Sequence, residues 1–332
     1  FFTPNDLHHL YSDPYFQNKV MNNGQQATFY NYYDMLPLRS RTKISGSTLD
    51  AFLAQRYNAG NSKMYGTGNI FTSYQESYGV NALLVYCLGL LESGWGTSDI
   101  AMKKNNLFGW NAVDSNPGED AKPFPSVEVC IQEQMGINLR GYMDVKDWRF
   151  FGYHFGDKGA GFNVKYASDP YWGLKISALA YSIDKFAAGY DGTLVDYGTY
   201  DLGIVNQYDV PVKRYADSNS ATLFTTAYGA TYQKDFSVII QSNNQGWIGL
   251  PTPNGIRSDG TMILHGKTFE NYDWNNSVGY LRSEQVSPLG FVEEAGNKPV
   301  GDFEQKITEL SLNGSKLTIK GYAYQPGLYV QN

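Results

Sequence analysis

Leu91-Glu92-Ser93-Gly94-Trp95-Gly96-Thr97-Ser98 is the stretch that decides how this chain reads. Upstream of it, from Val80, the apolar residues Leu83, Leu84, Cys87, Leu88 and Leu91 recur at spacings of three and four, the stripe of a helix buried on one side. Glu92 follows Leu88 by four positions and Leu84 by eight, so its carboxyl projects from the margin of that face in the last turn. Gly94 and Gly96 then stop the helix, and Thr97-Ser98-Asp99 carries the caps of a new one. A glutamate at a helix end is ordinarily solvated. Here desolvation and the negative end of the helix dipole both disfavour the anion, which predicts a raised pKa. A carboxyl that stays protonated near neutral pH is suited to donate its proton to a departing oxygen.

Around this segment the periodicity remains helical. Ser126 caps a second helix carrying Val127, Cys130, Ile131 and Met135, and a third runs through Ile176, Leu179, Ala180, Ile183 and Phe186 to Gly189. Ser47 and Asp50 have the spacing of a capping box, and Leu49, Phe52 and Leu53 complete an apolar face, which predicts a helix over about 48–57. Residues 47–190 therefore read as one mainly helical domain. Residues 1–46 are polar and tyrosine-rich, an N-terminal extension packed on that domain, with 31–39 as a short strand. Beyond about 207 the pattern changes to period two, in Phe236-Ser237-Val238-Ile239-Ile240 and Val278-Gly279-Tyr280-Leu281, so 207–288 reads as β. Asn313-Gly314, between Ile307–Leu312 and Lys316–Ile319, marks a hairpin that opens a further β module at 302–332. The chain starts at Phe1 and stops at Asn332 in what reads as another strand, so we expect a fragment of a longer exported protein.

Composition excludes several functions. The 332 residues carry a net charge of -6 and 17% charged residues, which is not a nucleic-acid-binding balance. Aromatics reach 15%, with 27 tyrosines and six tryptophans, a bias suited to covering the faces of uncharged, hydroxyl-rich ligands such as glycans. Trp148, Phe150, Phe151, Tyr153, His154, Phe155, Phe162, Tyr171 and Trp172 concentrate it, and about half of them are expected in the core. Cys87 and Cys130 sit in apolar, helix-like surroundings and read as buried thiols, with a single disulfide as the alternative. No apolar run approaches the ~18 residues of a membrane span. The four histidines form no HExxH, and there is no Ser-centred elbow, phosphate loop or dinucleotide fingerprint, so neither a metal nor a cofactor is expected. Gly156-Asp157-Lys158-Gly159-Ala160-Gly161 reads as a flexible surface turn.

Three motifs in order, Leu91-Glu92-Ser93-Gly94-Trp95-Gly96-Thr97-Ser98, Asn105-Asn106-Leu107-Phe108-Gly109 and Tyr166-Ala167-Ser168-Asp169-Pro170, make residues 80–187 resemble the glucosaminidase domains of bacterial autolysins, glycoside hydrolase family 73. The resemblance implies a lysozyme-like α+β fold, mainly α, and endo-β-N-acetylglucosaminidase activity on the β-1,4 bond after N-acetylglucosamine in peptidoglycan. Glu92 would be the general acid and Tyr166 the active-site tyrosine, its phenol near the acetamido group or water. Trp95, Asn105, Asn106, Phe108 and Tyr171 are then candidate substrate contacts, although the two asparagines serve equally well to hold a tight turn. The family's second carboxylate lies in a variable segment after Asn-Asn-Leu-Phe-Gly. Asp114 is the first candidate, Glu119 and Asp120 are rivals, and Glu128 ranks last because the first turn of its helix already accounts for it.

Residues 207–288 resemble a bacterial SH3-like domain through Val210-Pro211-Val212-Lys213, the Asp235–Ile240 strand, Gln245-Gly246-Trp247-Ile248 and Val278–Leu281. That implies a small all-β barrel that either grips wall peptide or steadies the enzyme. The expected whole is a secreted, wall-associated hydrolase acting on peptidoglycan strands. Its rivals are a muramidase or lytic transglycosylase, cleaving the other glycosidic bond, and a non-catalytic wall-binding protein.

Overall fold

The computed structural model describes residues 19–20, 26–27, 30–56, 59–111, 120–188, 192–205, 207–226, 236–289, 304–313 and 316–324. Asp114 and Glu119 lie outside them, as does most of the N-terminal extension. At the start, β1 (Lys19–Val20) pairs antiparallel with β2 (Gln26–Ala27). The short strand expected over 31–39 is instead a helical turn, α1 (Tyr32–Met35). Asn31 Oδ1 accepts from the Tyr33 and Asp34 amides, and this cap outweighs a weak strand pattern. Tyr32, Tyr33, Leu36 and Leu38 are all buried, so this stretch contributes side chains to the core. The Tyr33 hydroxyl donates to Asp184, a fully buried carboxylate that also accepts from the Val195 and Tyr197 amides at 2.7 and 2.8 Å.

The first long helix, α2 (Gly46–Ala54), is capped by Ser45, whose hydroxyl accepts from the Thr48 amide, and not by Ser47. Asp50, expected in that capping box, accepts from the Gly68 amide at 3.0 Å and ties α2 to α3 (Gly68–Tyr78). A Cβ on Gly68 would lie 2.0 Å from the Gly46 carbonyl oxygen, so the crossing of these helices requires the missing side chain. The centre is α4 (Ala82–Glu92). Every residue from Ala82 to Leu90 is buried, so this helix is enclosed all round rather than on one side as its stripe suggests. Each fully buried leucine contributes roughly 1.5–3 kcal/mol. Then come α5 (Asp99–Lys104), α6 (Val127–Glu133), a π-helical turn at Gln134–Asn138, α7 (Leu139–Tyr142) and α8 (Trp172–Ala187). Cys87 and Cys130 are buried free thiols.

The remaining strands of this unit are β3 (Leu202–Val205), β4 (Pro211–Lys213), β5 (Thr222–Thr225), β6 (Phe236–Ile239), β7 (Ser242–Asn244), β8 (Trp247–Pro251), β9 (Val278–Arg282) and β10 (Val286–Pro288). They form a three-stranded sheet, β10-β3-β6, and a five-stranded sheet, β5-β4-β9-β8-β7, antiparallel throughout. No closed barrel forms among the described residues. Phe236 packs its ring against Phe150 and Tyr153, and Ser237 donates to the Met35 carbonyl, so one hydrophobic core runs from Tyr32 to Val286. A second compact unit, 292–332, holds β11 (Glu304–Asn313) and β12 (Lys316–Tyr324). They pair antiparallel from Glu304 with Tyr324 to Asn313 with Lys316, the expected hairpin with longer arms. Among the described residues no helix is long and apolar enough to cross a membrane.

Candidate active site

Glu92 is the last residue of α4, and the turn after it is closed by the chain itself. Ser93 Oγ donates to the Gly89 carbonyl at 2.5 Å and accepts from the Gly96 amide at 2.7 Å. Trp95 takes a left-handed conformation, φ 64°, with its amide on the Leu90 carbonyl at 2.7 Å. At Gly96, also left-handed, a Cβ would come within 2.4 Å of Ser62 Oγ, so the turn is pressed against residues 62–64. Its compactness holds the Glu92 carboxyl at a fixed exit point of a buried helix.

Across from it, Trp172 Nε1 donates to Glu92 Oε1 at 2.7 Å. Burial raises the carboxyl's pKa, and the indole hydrogen bond, which favours the anion, takes back part of that rise. The outcome is the direction that the helix position predicts. Trp172 is 3% exposed and stacks on the half-buried Tyr166, ring centroids 4.6 Å apart at 27°. Burial first, then the Glu92 charge, push the Tyr166 phenol well above the usual range, so it is a neutral hydroxyl.

The direction of that hydroxyl is set by Gln134. Trp110 Nε1, which can only donate, reaches Gln134 Oε1 at 2.6 Å, and Asn138 Nδ2 donates to the same oxygen at 2.9 Å. The amide is thereby oriented, and its Nε2 donates to Tyr166 Oη at 3.1 Å. Tyr166 accepts that bond, which leaves its own proton to be donated elsewhere. Gln134 is fully buried, in a π-helical turn, a distortion that recurs at functional sites.

The other candidate contacts are engaged with the protein. Asn106 Nδ2 donates to the Trp110 and Lys122 carbonyls, and its Oδ1 accepts from the Phe108 and Trp110 amides, so all of its hydrogen-bonding positions are filled. Asn105, left-handed at φ 52°, ends α5, accepts from Lys63 Nζ at 3.0 Å and donates to the Phe124 carbonyl at 3.1 Å. Phe108 is 5% exposed and packs over Gly89 of α4. The Trp95 ring stacks on Phe52 and lies under the Arg56 guanidinium at 3.5 Å. For the two asparagines these bonds are those of a tight turn. Tyr171 is half-buried, and its amide donates to Asp169 Oδ1 at 2.9 Å, so Asp169 of the Tyr-Ala-Ser-Asp-Pro motif seats the start of α8 and with it Trp172.

Of the aromatic run at 148–172, Phe150, Tyr153, His154, Phe155, Phe162 and Trp172 are buried and Trp148 is 74% exposed. The Gly156–Gly161 turn is neither loose nor superficial, since Asp157 Oδ1 accepts from the Gly159 amide at 2.6 Å and Lys158 Nζ donates to the Ala167 carbonyl at 2.7 Å. The rival carboxylate Asp120 is exposed, while Glu128 accepts from the Tyr74 hydroxyl at 3.4 Å. Among the described residues no group of three or more His, Cys, Asp or Glu is placed to hold a metal ion. Trp172 and Gln134 are the two members that sequence reasoning does not single out. Nothing in spacing separates Trp172 from its aromatic neighbours, but Gln134 carries a signal. It follows Cys130 by four and Ile131 by three, a polar residue on a buried stripe.

Residues 68–185 match the glucosaminidase family, described as mannosyl-glycoprotein endo-beta-N-acetylglucosaminidase. A protein of Streptococcus pneumoniae serotype 4, named "Putative endo-beta-N-acetylglucosaminidase", is 38% identical over 154 residues, which are 46% of this chain and 22% of that protein. Its counterpart in a second S. pneumoniae strain matches at 38% over 154 residues, 46% of this chain and 21% of its own. The match thus spans about a fifth of these relatives' length. Of solved structures, S. aureus autolysin E is 20% identical, covering 51% of this chain and 83% of its own at a TM-score of 0.34. A catalytic mutant of it in complex with the disaccharide NAG-NAM is 18% identical, covering 56% and 91% at 0.34.

Proposed function

We propose that this chain hydrolyses the β-1,4 bond between N-acetylglucosamine and N-acetylmuramic acid in peptidoglycan, with Glu92 as general acid. The observation that carries the proposal is the Glu92 carboxyl, raised in pKa by burial at the end of α4 and oriented by the Trp172 indole at 2.7 Å. The protonated carboxyl gives its proton to the departing glycosidic oxygen as the C–O bond breaks. The Tyr166 hydroxyl, which accepts from Gln134 and so keeps its proton to give, donates to the acetamido group or to water beside the reacting sugar. Asp114 is our candidate for the second carboxylate and Glu119 its rival, one of them activating water or stabilising positive charge on the sugar. The match of residues 68–185 and the relatives' names support this substrate class.

Secretion to the wall fits such a substrate. The strands over 207–288 we read as an SH3-like module attached to the hydrolase of residues 47–190, which either grips wall peptide or steadies the enzyme. Their sheets share a core with the helices, which would hold such a module rigidly beside the catalytic unit.

Digestion of purified peptidoglycan, followed by borohydride reduction and mass spectrometry, tests the proposal. New reducing N-acetylglucosamine ends are expected, reduced about 10²- to 10⁴-fold or more in rate by Glu92→Gln. Reducing N-acetylmuramic ends would make this a muramidase, anhydro ends a lytic transglycosylase, and wall binding without released fragments a binding protein.

A further inference from the structure

Away from Glu92, two guanidinium groups converge on one small cavity. Arg39 is 3% exposed and Arg140 5%, and both line a partly open space of about 10 Å³, with Tyr78, Gly136, Glu270 and Tyr272 among its other walls. That volume holds about one water-sized species. Arg39 Nε donates to the Pro253 carbonyl at 2.7 Å, its Nη1 donates to those of Tyr78 and Gly79, and the group lies 4.2 Å over the Tyr272 ring. Arg140 Nη2 donates to the Gly266 and Thr268 carbonyls, both at 2.7 Å. The Nε and Nη1 of Arg140 are buried and find no hydrogen-bond partner among the described residues.

The nearby carboxylates, of which Glu270 itself lines the cavity, hydrogen-bond other groups. Asp144 accepts from the His265 and Lys146 amides and from Asn254 Nδ2, and Glu270 Oε2 accepts from Nε and Nη2 of Arg257. Arg149 is paired with Asp147. The charges around the cavity are then Arg39, Arg140 and Arg257 against Asp144 and Glu270, an excess of one positive charge. A buried guanidinium whose donors meet no acceptor is expensive. A water molecule would satisfy the donors but not the charge, whereas a monovalent anion does both.

We propose that this cavity binds a small monovalent anion, chloride or another halide, on Nε and Nη1 of Arg140 with Arg39 as the second positive wall. The anion fastens residues 253–272, already held by backbone bonds to both arginines, against the π-helical turn that carries Gln134.

Bromide serves as the probe in crystals of the unaltered chain, through its anomalous scattering. The expected result is a bromide peak in hydrogen-bonding reach of Arg140 Nε and Nη1. In solution, chloride should raise the melting temperature of the same chain by roughly 2–4 °C over isethionate at equal ionic strength, saturably, and Arg140→Gln should abolish the difference. A water at the site, or the Glu270 carboxylate turned onto Arg140, overturns the proposal. So do equal melting temperatures in the two salts, which would mark any halide peak as an adventitious ion only.

Discussion

Replacing Trp172 with phenylalanine removes one N–H from the Glu92 carboxylate while an aromatic ring still stacks on Tyr166 and meets Phe155 edge to face. The bond favours the anion, so its loss leaves burial unopposed and raises the Glu92 pKa further. A general acid works protonated, so the alkaline limb of the pH–rate profile follows Glu92 and moves to higher pH in Trp172→Phe. A hydrogen bond to a charged group is worth about 1.5–3 kcal/mol. The lower figure applies, because Glu92 keeps some solvent contact. Since about 1.4 kcal/mol is tenfold in a protonation equilibrium, the variant should keep roughly ten times more of its own maximal rate at pH values above the parent's limb. Its maximal rate should itself be lower, because the carboxyl is no longer oriented. The assay is the initial rate of reducing-end release from peptidoglycan across pH, each protein normalised to its maximum. An alkaline limb that stays in place, or moves to lower pH, would refute the assignment of the indole hydrogen bond to the catalytic acid.

Three further outcomes are expected. Gln134→Met should lower kcat roughly tenfold with little change in KM, and combining it with Tyr166→Phe should add almost nothing, because both act on one hydroxyl; additive losses would separate them. Asn106→Ala strands three backbone groups, the Trp110 carbonyl keeping the Lys122 amide, and should cost about 3 kcal/mol, seen as a melting temperature roughly 6–12 °C lower, whereas a catalytic defect at unchanged stability would favour a ligand role. Asp34 is buried with Oδ1 unpartnered among the described residues, and burial, with Asp157 nearby, pushes its pKa up to about 8. Between the usual carboxylate range and about 8 the folded state holds a proton that the unfolded state has lost, so stability falls as pH rises through that window. Thermal melts of Asp34→Asn should therefore gain on the parent as pH rises towards 8, and parallel curves would count against a buried carboxyl there.

Much of the helical half is legible because its signals are local. The spacing of Leu83, Leu84, Cys87 and Leu88 marks α4, Gly94 and Gly96 mark its end, and Ser98 and Ser126 cap two of the later helices. The strand expected at 31–39 gives way to a helical turn because its alternation is weak and the Asn31 cap, an equally local signal, is stronger. Ser45, not Ser47, caps α2, and Asp50 is taken up by Gly68 of the next helix, a partner that no local pattern names. That the described strands of 207–288 form two sheets and not the expected closed barrel is likewise not legible, since alternation says which residues face inward but not which strand edges meet.

By itself the sequence determined that a carboxyl stands at the end of an apolar helix before a Gly-Trp-Gly turn, a position from which a raised pKa is expected. Periodicity and glycine placement act within a few residues of one another, so no tertiary contact is needed to read them. Only the tertiary structure decided what touches that carboxyl. Trp172 is 80 positions away, and Gln134 reaches the site through Tyr166, 32 positions on. It also brought the Lys122 carbonyl, 16 positions on, to the Asn106 amide, whose other partners lie within four residues. Hydrogen bonds of that reach are a property of packing, and packing is settled by the whole chain at once.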